Sequence, residues 1–509
     1  PQTSVNVSVS GGGTNTNYYF SLSRLNQDAV FRQYNFNRTN MQSNIDAHIG
    51  DRLKVGVDIN GRVEERVNPG VPGGDDYWEP LFASMRNTPM EHPFANNNPA
   101  YLNDIRHHND NAGLWTYKES GKWQDDWRVM QTNFHAEWDL PLKGLTAKGV
   151  YSYYYANEYK TNHEFTYKAY TYDPNDSTYN WTGGSSNPWQ ERGRTLITES
   201  DIQGQLNYQN SFGKHNIGAT FVTEWYKRTT LYSWQHDVPP VNELDHILEP
   251  TIDNSSGYND DNTPEARIGY IGQITYNYNS KYYLEFSGRE DGSWRWPPDH
   301  RWGFFPSISG GWRISAEPFF SKLVGAHSAL SDLKIRASYG KLGDDNVSLD
   351  PFAYVPGFNY PAPNESLVIL DGQAVTPAVN RGEPITNITW FISNITDVGA
   401  DFSFWNGKLS GSIDYFYRKR TGLLAPKYDV VIPDELGYTL PQENVNSDAQ
   451  MGGEFSLSYT NKLGELHYSV SGNIAYSRAK YLNFYKPTYG NSLDKYFNST
   501  TADNRWAGI

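Results

Sequence analysis

Val398-Gly399-Ala400-Asp401-Phe402-Ser403-Phe404-Trp405-Asn406-Gly407-Lys408-Leu409-Ser410-Gly411-Ser412-Ile413-Asp414-Tyr415-Phe416-Tyr417 is the stretch whose pattern decides the fold. Val398, Ala400, Phe402 and Phe404 alternate with Gly399, Asp401 and Ser403. Past the middle, Leu409, Gly411, Ile413, Tyr415 and Tyr417 alternate with Ser410, Ser412 and Asp414. Successive side chains of a strand point to opposite faces, so each half carries one apolar and one polar face. Asn406-Gly407 between them tolerates positive φ at both positions, the strongest short hairpin signal. The stretch predicts an antiparallel hairpin with both apolar sets on one side.

The same period of two runs through the chain, and helical period is nearly absent. Val5, Val7 and Val9 alternate with Asn6, Ser8 and Ser10; Leu53, Val55, Val57 and Ile59 alternate with Lys54, Gly56, Asp58 and Asn60. Phe134, Ala136, Trp138 and Leu140 repeat the pattern, as do Ile217, Ala219, Phe221 and Trp225. Tight turns fall around Phe212-Gly213-Lys214 and Asn279-Ser280. Counting gives about sixteen strands, near residues 3–10, 17–26, 36–49, 51–63, 129–140, 145–158, 196–210, 215–229, 266–278, 281–290, 303–314, 332–342, 396–405, 408–418, 452–460 and 466–478. Connections near 50, 142, 212, 280, 406 and 463 are short, whereas 64–128, 159–195, 230–265, 343–395 and 419–451 are long and rich in aromatics, Gly, Pro, Asn and Asp. Glu317–Leu330 reads as a short helix inside a connection.

Composition narrows the class. Aromatic residues make up 15% of the 509, with 38 Tyr, 23 Phe and 16 Trp, yet the mean hydropathy is −0.71. A chain polar on average and this aromatic has to segregate its two kinds of surface. The net charge of −14 argues against a general nucleic-acid binder, which needs a basic stripe for phosphate. With no cysteine, disulfides and thiolate metal sites are excluded. No run of about 18 apolar residues is present to form a spanning helix. A soluble sandwich or propeller shows the alternation but seldom places long loops consistently at one end. Short turns on one side and long loops on the other predict an all-β fold, a transmembrane antiparallel β-barrel, with Tyr and Trp at the two lipid–water boundaries. The beginning at Pro1 lacks an initiator Met and a signal-like region, and the end at Ile509 reads as mid-loop, so a chain cut at both ends is expected.

Several stretches together resemble one family, the SusC/RagA-like branch of TonB-dependent transporters. They are Val7-Ser8-Val9-Ser10-Gly11-Gly12 with Asn17-Tyr18-Tyr19-Phe20-Ser21-Leu22-Ser23, then Phe305-Pro306-Ser307-Ile308-Ser309-Gly310-Gly311-Trp312-Arg313-Ile314-Ser315, Leu333-Lys334-Ile335-Arg336-Ala337-Ser338-Tyr339-Gly340, and Leu409–Tyr417. Each is weak by itself, but they follow the family's order and spacing over essentially the whole chain. The resemblance implies a barrel of about twenty-two strands, of which residues 1–509 would be a partial barrel. A signal sequence, TonB box and plug would precede it, and about six strands would follow. It further implies active import at the outer membrane, driven through the TonB–ExbB–ExbD complex, with a SusD-like surface lipoprotein as lid. Outer-membrane lipid and lipopolysaccharide would surround it. An oligosaccharide is the first substrate reading and an oligopeptide the second. A siderophore or cobalamin receptor, a passive porin, and a structural or adhesive barrel are the alternatives.

No phosphate loop, G-x-G-x-x-G, G-x-S-x-G or H-E-x-x-H occurs, so no catalytic residue is assigned and the chain is not read as an enzyme. His107-His108-Asn109-Asp110 has metal-ligand residue types, but an incidental His pair in a solvated loop accounts for it. The acid pairs Asp75-Asp76, Asp125-Asp126, Asp260-Asp261 and Asp344-Asp345 could hold Ca²⁺, although EF-hand spacing is absent; solvated loop acids are the simpler reading, and no cofactor is expected. The substrate-contact candidates are Trp78, Trp115, Trp123, Trp181, Trp189, Trp294 and Trp296, in or beside long links near Tyr77 and Trp127. Flat aromatic rings beside Asn, Asp and Arg suit the C–H faces and hydroxyl edges of sugars, and peptides too. An interfacial girdle or loop packing is the plainer role of any one of them.

Overall fold

The computed structural model describes residues 1–70, 79–107, 110–185, 189–239, 241–247, 257–324, 329–347, 349, 352–360, 368–426 and 441–485. In chain order the strands are β1 (Gln2–Gly12), β2 (Thr16–Asp28), β3 (Asn35–Ile49), β4 (Leu53–Pro69), β5 (Gly121–Asp139), β6 (Leu145–Glu164), β7 (Tyr167–Asp173), β8 (Thr178–Ser185), β9 (Trp189–Phe212), β10 (His215–Asp237) and β11 (Gly257–Tyr278). Then follow β12 (Tyr282–Ser293), β13 (Trp302–Arg313), β14 (Leu330–Asp344), β15 (Phe358–Asn359), β16 (Val368–Leu370), β17 (Gln373–Val375), β18 (Val379–Asn380), β19 (Phe391–Phe404), β20 (Leu409–Pro426), β21 (Gln442–Leu463) and β22 (Leu466–Asn483). One sheet of 16 strands runs β1-β2-β3-β4-β5-β6-β9-β10-β11-β12-β13-β14-β19-β20-β21-β22, and β7-β8, β15-β18 and β16-β17 are separate pairs. Every strand read from the sequence is present, in sequential neighbour order. In such an antiparallel order the turns after β3, β5, β9, β11, β19 and β21 all fall on the same edge, as their shortness predicts. Among the described residues β1 pairs with β2 alone and β22 with β21 alone. By contacts the chain divides into one unit of Pro1–Trp138, Lys148–Gln203 and Tyr226–Glu265, and another of Asp139–Ala147, Gly204–Trp225 and Ala266–Ile509.

Register shows why the alternation matters. In the second unit Ile335 pairs with Ala400, Ala400 with Ile413, Ile413 with Phe455, and Phe455 with Ile474. One residue along, Arg336, Gly399, Asp414 and Glu454 form the next row, on the opposite face. There Arg336 Nη2 lies 2.6 Å from Asp414, with Asp397 and Asp401 each at 3.4 Å. Ile413, Tyr415, Leu284 and Phe286 are about half exposed, and no other part of the described protein covers them. An uncovered apolar face opposite a salt-bridged one belongs against hydrocarbon. The first unit repeats this: Ile45, Val57 and Phe134 share a row, while on the other face His135 and Lys54 lie 3.0 and 3.3 Å from Asp46.

Two details differ from the sequence reading. The Asn406-Gly407 turn is closed by Phe404 opposite Leu409, so Trp405 and Lys408 join the loop, and Trp405 itself takes positive φ. That choice keeps Phe404 and Leu409 on the same face. Strands also run far into the expected long links: β9 has 24 residues and β10 has 23, where about ten cross a bilayer. Tyr258–Glu265 of β11 pairs despite having no apolar alternation, because beyond the membrane neither face needs to be apolar. Helix α1 (Glu79–Arg86) and α2 (Tyr117–Ser120) lie in the link before β5, and α3 (Pro318–Val324) lies where a short helix was expected. Just before α3, Glu317 ties the turn edge together, accepting hydrogen bonds from Tyr282 Oη at 2.6 Å, Lys281 Nζ at 3.2 Å and Trp312 Nε1 at 3.3 Å.

The facing predicts an asymmetry between neighbours. Ile413→Arg places a cation in hydrocarbon and should destabilise the protein by about 2–4 kcal/mol, whereas Ser412→Arg on the polar face should cost far less. Urea unfolding in lipid vesicles measures both, and equal losses would mean the register is wrong.

Candidate functional site

On the polar face of the first unit, β5 turns Trp123, Asp125 and Trp127 to one side in succession. Across the ladder these meet Asn68, Arg66 and Glu64 of β4. The Arg66 guanidinium lies 5.1 Å from the Trp123 ring centroid, a cation–π contact that fixes the indole. β6 adds Glu158 and Lys160, with Lys160 Nζ 3.2 Å from Glu158 and the Thr195 hydroxyl donating to Glu158 at 2.6 Å. Asp125 lies well beyond the ten or so residues of β5 that span from the turn. Burial pushes its carboxyl up to about 6, Glu158 adds to the rise, and Lys160, Arg66 and the Trp127 indole oppose it. Asn68 and Asn162 are buried beside this wall, Asn162 donating to Glu164 at 2.8 Å. β5 can start this close to β6 because Gly121 has φ +83 and no Cβ; a side chain there would strike the His163 carbonyl.

Higher on the same unit Trp189 stacks on His236 with ring centroids 3.2 Å apart, and its Nε1 donates to Glu191 at 3.3 Å. Burial lowers the pKa of the neighbouring His163 from the ordinary imidazole value, against the opposing pull of Asp245. The β7–β8 hairpin presents Trp181 at 65% exposure. Its Nε1 donates to Gly183 O at 2.8 Å and Lys168 Nζ sits 4.5 Å from the ring centroid, so the ring is held in place while remaining open to solvent. Beside this hairpin Tyr101 stacks on Tyr179 at 3.9 Å and 6°, and meets Tyr170 edge-on. Trp115 packs edge-on against Phe31 at 5.2 Å and onto the buried Leu102 and Leu114. Trp78 lies outside the described residues.

In the second unit Trp294 and Trp296 are enclosed. Trp296 is fully buried among Phe305, Val347, Ile388 and Trp390, and Trp294 lies between Arg295 and Phe352. As placed they pack the base of the loops. Nearby, Asp345 accepts from Arg267 Nε and Nη2, at 3.0 and 3.1 Å, and from the Ser293 hydroxyl at 2.6 Å. Toward the turn edge a cavity of about 640 Å³ opens on the polar face, lined by Thr275, Asn277, Glu285, Lys334, Arg336 and Asp397.

The acid pairs do not converge. Asp125-Asp126 and Asp260-Asp261 sit inside strands, where neighbours face opposite ways. Asp110 pairs with Arg86 at 2.6 Å; His108, Asn109, Asp75 and Asp76 lie outside the described residues. Among the described residues no group of three or more His, Asp or Glu could hold a metal ion. The wall around Trp123 and the Tyr101–Tyr179 stack were not foreseen. Glu64-x-Arg66-x-Asn68 and Trp123-x-Asp125-x-Trp127 carry a period-two signal that could have identified the wall.

No family model matches the chain. It is 26% identical over 487 residues to a TonB-dependent receptor of Formosa agariphila, covering 91% of this chain and 44% of that protein. It is 25% identical over 480 residues to the TonB-dependent receptor SusC of Bacteroides thetaiotaomicron, covering 89% and 44%. The fold is that of the RagAB peptide transporter structure, at TM-score 0.73 and 20% identity over 95% of this chain and 51% of that one. The chain thus spans about half the length of the relatives it matches.

Two outcomes follow. Because folding holds the proton on Asp125, this group's contribution to stability is present at low pH and is lost as pH rises from 3.8 through about 6. Asp125→Asn should remove that slope, measured as the wild-type minus variant difference in unfolding midpoint at several pH values. Trp296→Ala should destabilise by about 3–5 kcal/mol in denaturant titration.

Proposed function

We propose, from the premise that this chain is a SusC/RagA-like TonB-dependent transporter barrel, that it serves active nutrient import across the outer membrane. Its cargo in this reading is an oligosaccharide. The support for that cargo is the anchored, open Trp181 ring and, on the same unit, a polar wall that sets Trp123 and Trp127 among Asn68, Arg66, Asp125 and Lys160. Indole faces stack on sugar C–H surfaces, and amide, carboxylate and guanidinium groups at the ring edges take the hydroxyls. A SusD-like lipoprotein closes the loop side in this proposal, and the TonB–ExbB–ExbD complex supplies the energy through parts of the protein other than these strands. An oligopeptide is the second reading, favoured by the alternating charges Glu64, Arg66, Asp125 and Lys160, which suit a chain with charged ends.

Uptake of labelled oligosaccharide and oligopeptide by cells carrying or lacking the gene tests this. Import that persists after the proton gradient is collapsed would overturn the active mechanism, and uptake of peptide alone would overturn the sugar reading. Trp181→Ala and Trp123→Ala should each weaken oligosaccharide binding by about tenfold, read by titration calorimetry. Unchanged affinity in both would remove these rings from the site.

A further inference from the structure

The lipid-facing surface of β14, β19, β20, β21 and β22 can be read row by row from the register. Lys341 pairs with Asn394, Asn394 with Lys419, Lys419 with Ala449, and Ala449 with Lys480. The next row toward the turn edge is Tyr339, Thr396, Tyr417, Met451 and Arg478, and the one after that is Ala337, Val398, Tyr415, Gly453 and Tyr476. Below these lies the aliphatic row of Ile335, Ala400, Ile413, Phe455 and Ile474. Three lysines therefore stand on alternate strands in one transverse line, spaced about 10 Å apart, which is two strand separations.

Their direction is fixed by neighbours. Arg418 and Arg420 turn inward to Gln450 and Asp448, so Lys419 between them points outward. Tyr339, half exposed, donates its hydroxyl to Asn394 at 3.1 Å, which puts Asn394 on the outer face in line with Lys341. Lys419 and Lys480 are exposed and Lys341 is half-buried, and none of the three pairs with an acid among the described residues. The row beyond, Gly343, Ile392, Thr421 and Ser447, brings no carboxylate.

We infer that this row seats the phosphate of an anionic lipid in the leaflet on the long-loop side. Its acyl chains lie down over the tyrosine and aliphatic rows. Charge complementarity carries the assignment: cations without an acid partner among the described residues, one row above a tyrosine belt, sit at headgroup depth, where phosphate is the available anion. The tyrosine row, which also carries Thr396 and Arg478, leads down to apolar rows that make the site continuous with the hydrocarbon-facing surface, so the ligand is a lipid and not a free anion. The inference rests on the membrane-spanning reading above, which is tested separately below.

The test uses the full-length protein in detergent, with bis-phosphorylated lipid A, its dephosphorylated form, and inorganic phosphate as probes. Native mass spectrometry should show the phosphorylated lipid retained, with affinity falling on the order of tenfold to a hundredfold in the Lys341→Gln/Lys419→Gln/Lys480→Gln variant. It should also fall with rising salt. Lys408→Gln, in a turn at the opposite edge, should leave it unchanged. Equal retention by the triple variant, or of the dephosphorylated lipid, would overturn the proposal, as would competition by millimolar phosphate. Heat-modifiable migration on gels reports barrel insertion independently. Loss of that signature in wild type would sink the membrane reading itself, and its persistence in the triple variant keeps any lipid loss assignable to the lysines.

Discussion

In hydrocarbon no water is present to bond an exposed peptide group, so each N–H and C=O that crosses must find its partner in the neighbouring strand. That requirement governs the rest of this structure. It forces strands of matched register, and a register fixed by backbone pairing dictates which face every side chain takes. A shift of one residue would move Ile413 and Tyr415 inward and drive Arg336, Asp397 and Asp414 into lipid. The salt-bridged polar face and the uncovered apolar face are thus two results of one pairing, and neither could be changed without the other.

The same strands obey a different rule once they leave the bilayer. Along β5 the turn-side half has an uncovered apolar face with Phe134 and Trp138, while the loop-side half carries Trp123, Asp125 and Trp127 on its inner face and Lys122 and Arg128 outside. With water on the outside, selection for hydrocarbon ends and backbone pairing continues. The long-loop side is therefore built on rigid ladder well above the membrane, which gives the Trp123 wall fixed positions that a flexible loop would lack.

This change of rule also sets what could be read in advance. Strand positions inside the membrane were legible because alternation there is enforced, as at Val398–Phe404 and Leu409–Tyr417. The overhanging halves were read as loops because stretches such as Tyr258–Glu265 alternate in nothing. Residue type singles out Trp123, Trp181 and Trp296 alike; what it does not record is that Trp296 is enclosed by Phe305, Ile388 and Trp390 from distant parts of the chain. The Tyr101–Tyr179 stack joins residues of two separate links, a proximity no local pattern records. The β7–β8 hairpin was missed for the reason that hides overhangs: both its faces are polar or aromatic.

Arg336 faces Asp397, Asp401 and Asp414 together and Lys334 stands across the ladder from Asp401, so this patch of the inner wall holds three carboxylates against two cations. A fixed excess of negative charge on a wetted face acts on solutes within about 8 Å, the screening length of physiological salt. Such a patch attracts cations and repels anions, while a neutral molecule feels little of it. The arrangement that keeps charge out of the lipid thereby leaves the polar face with a charge preference of its own, for cations over anions.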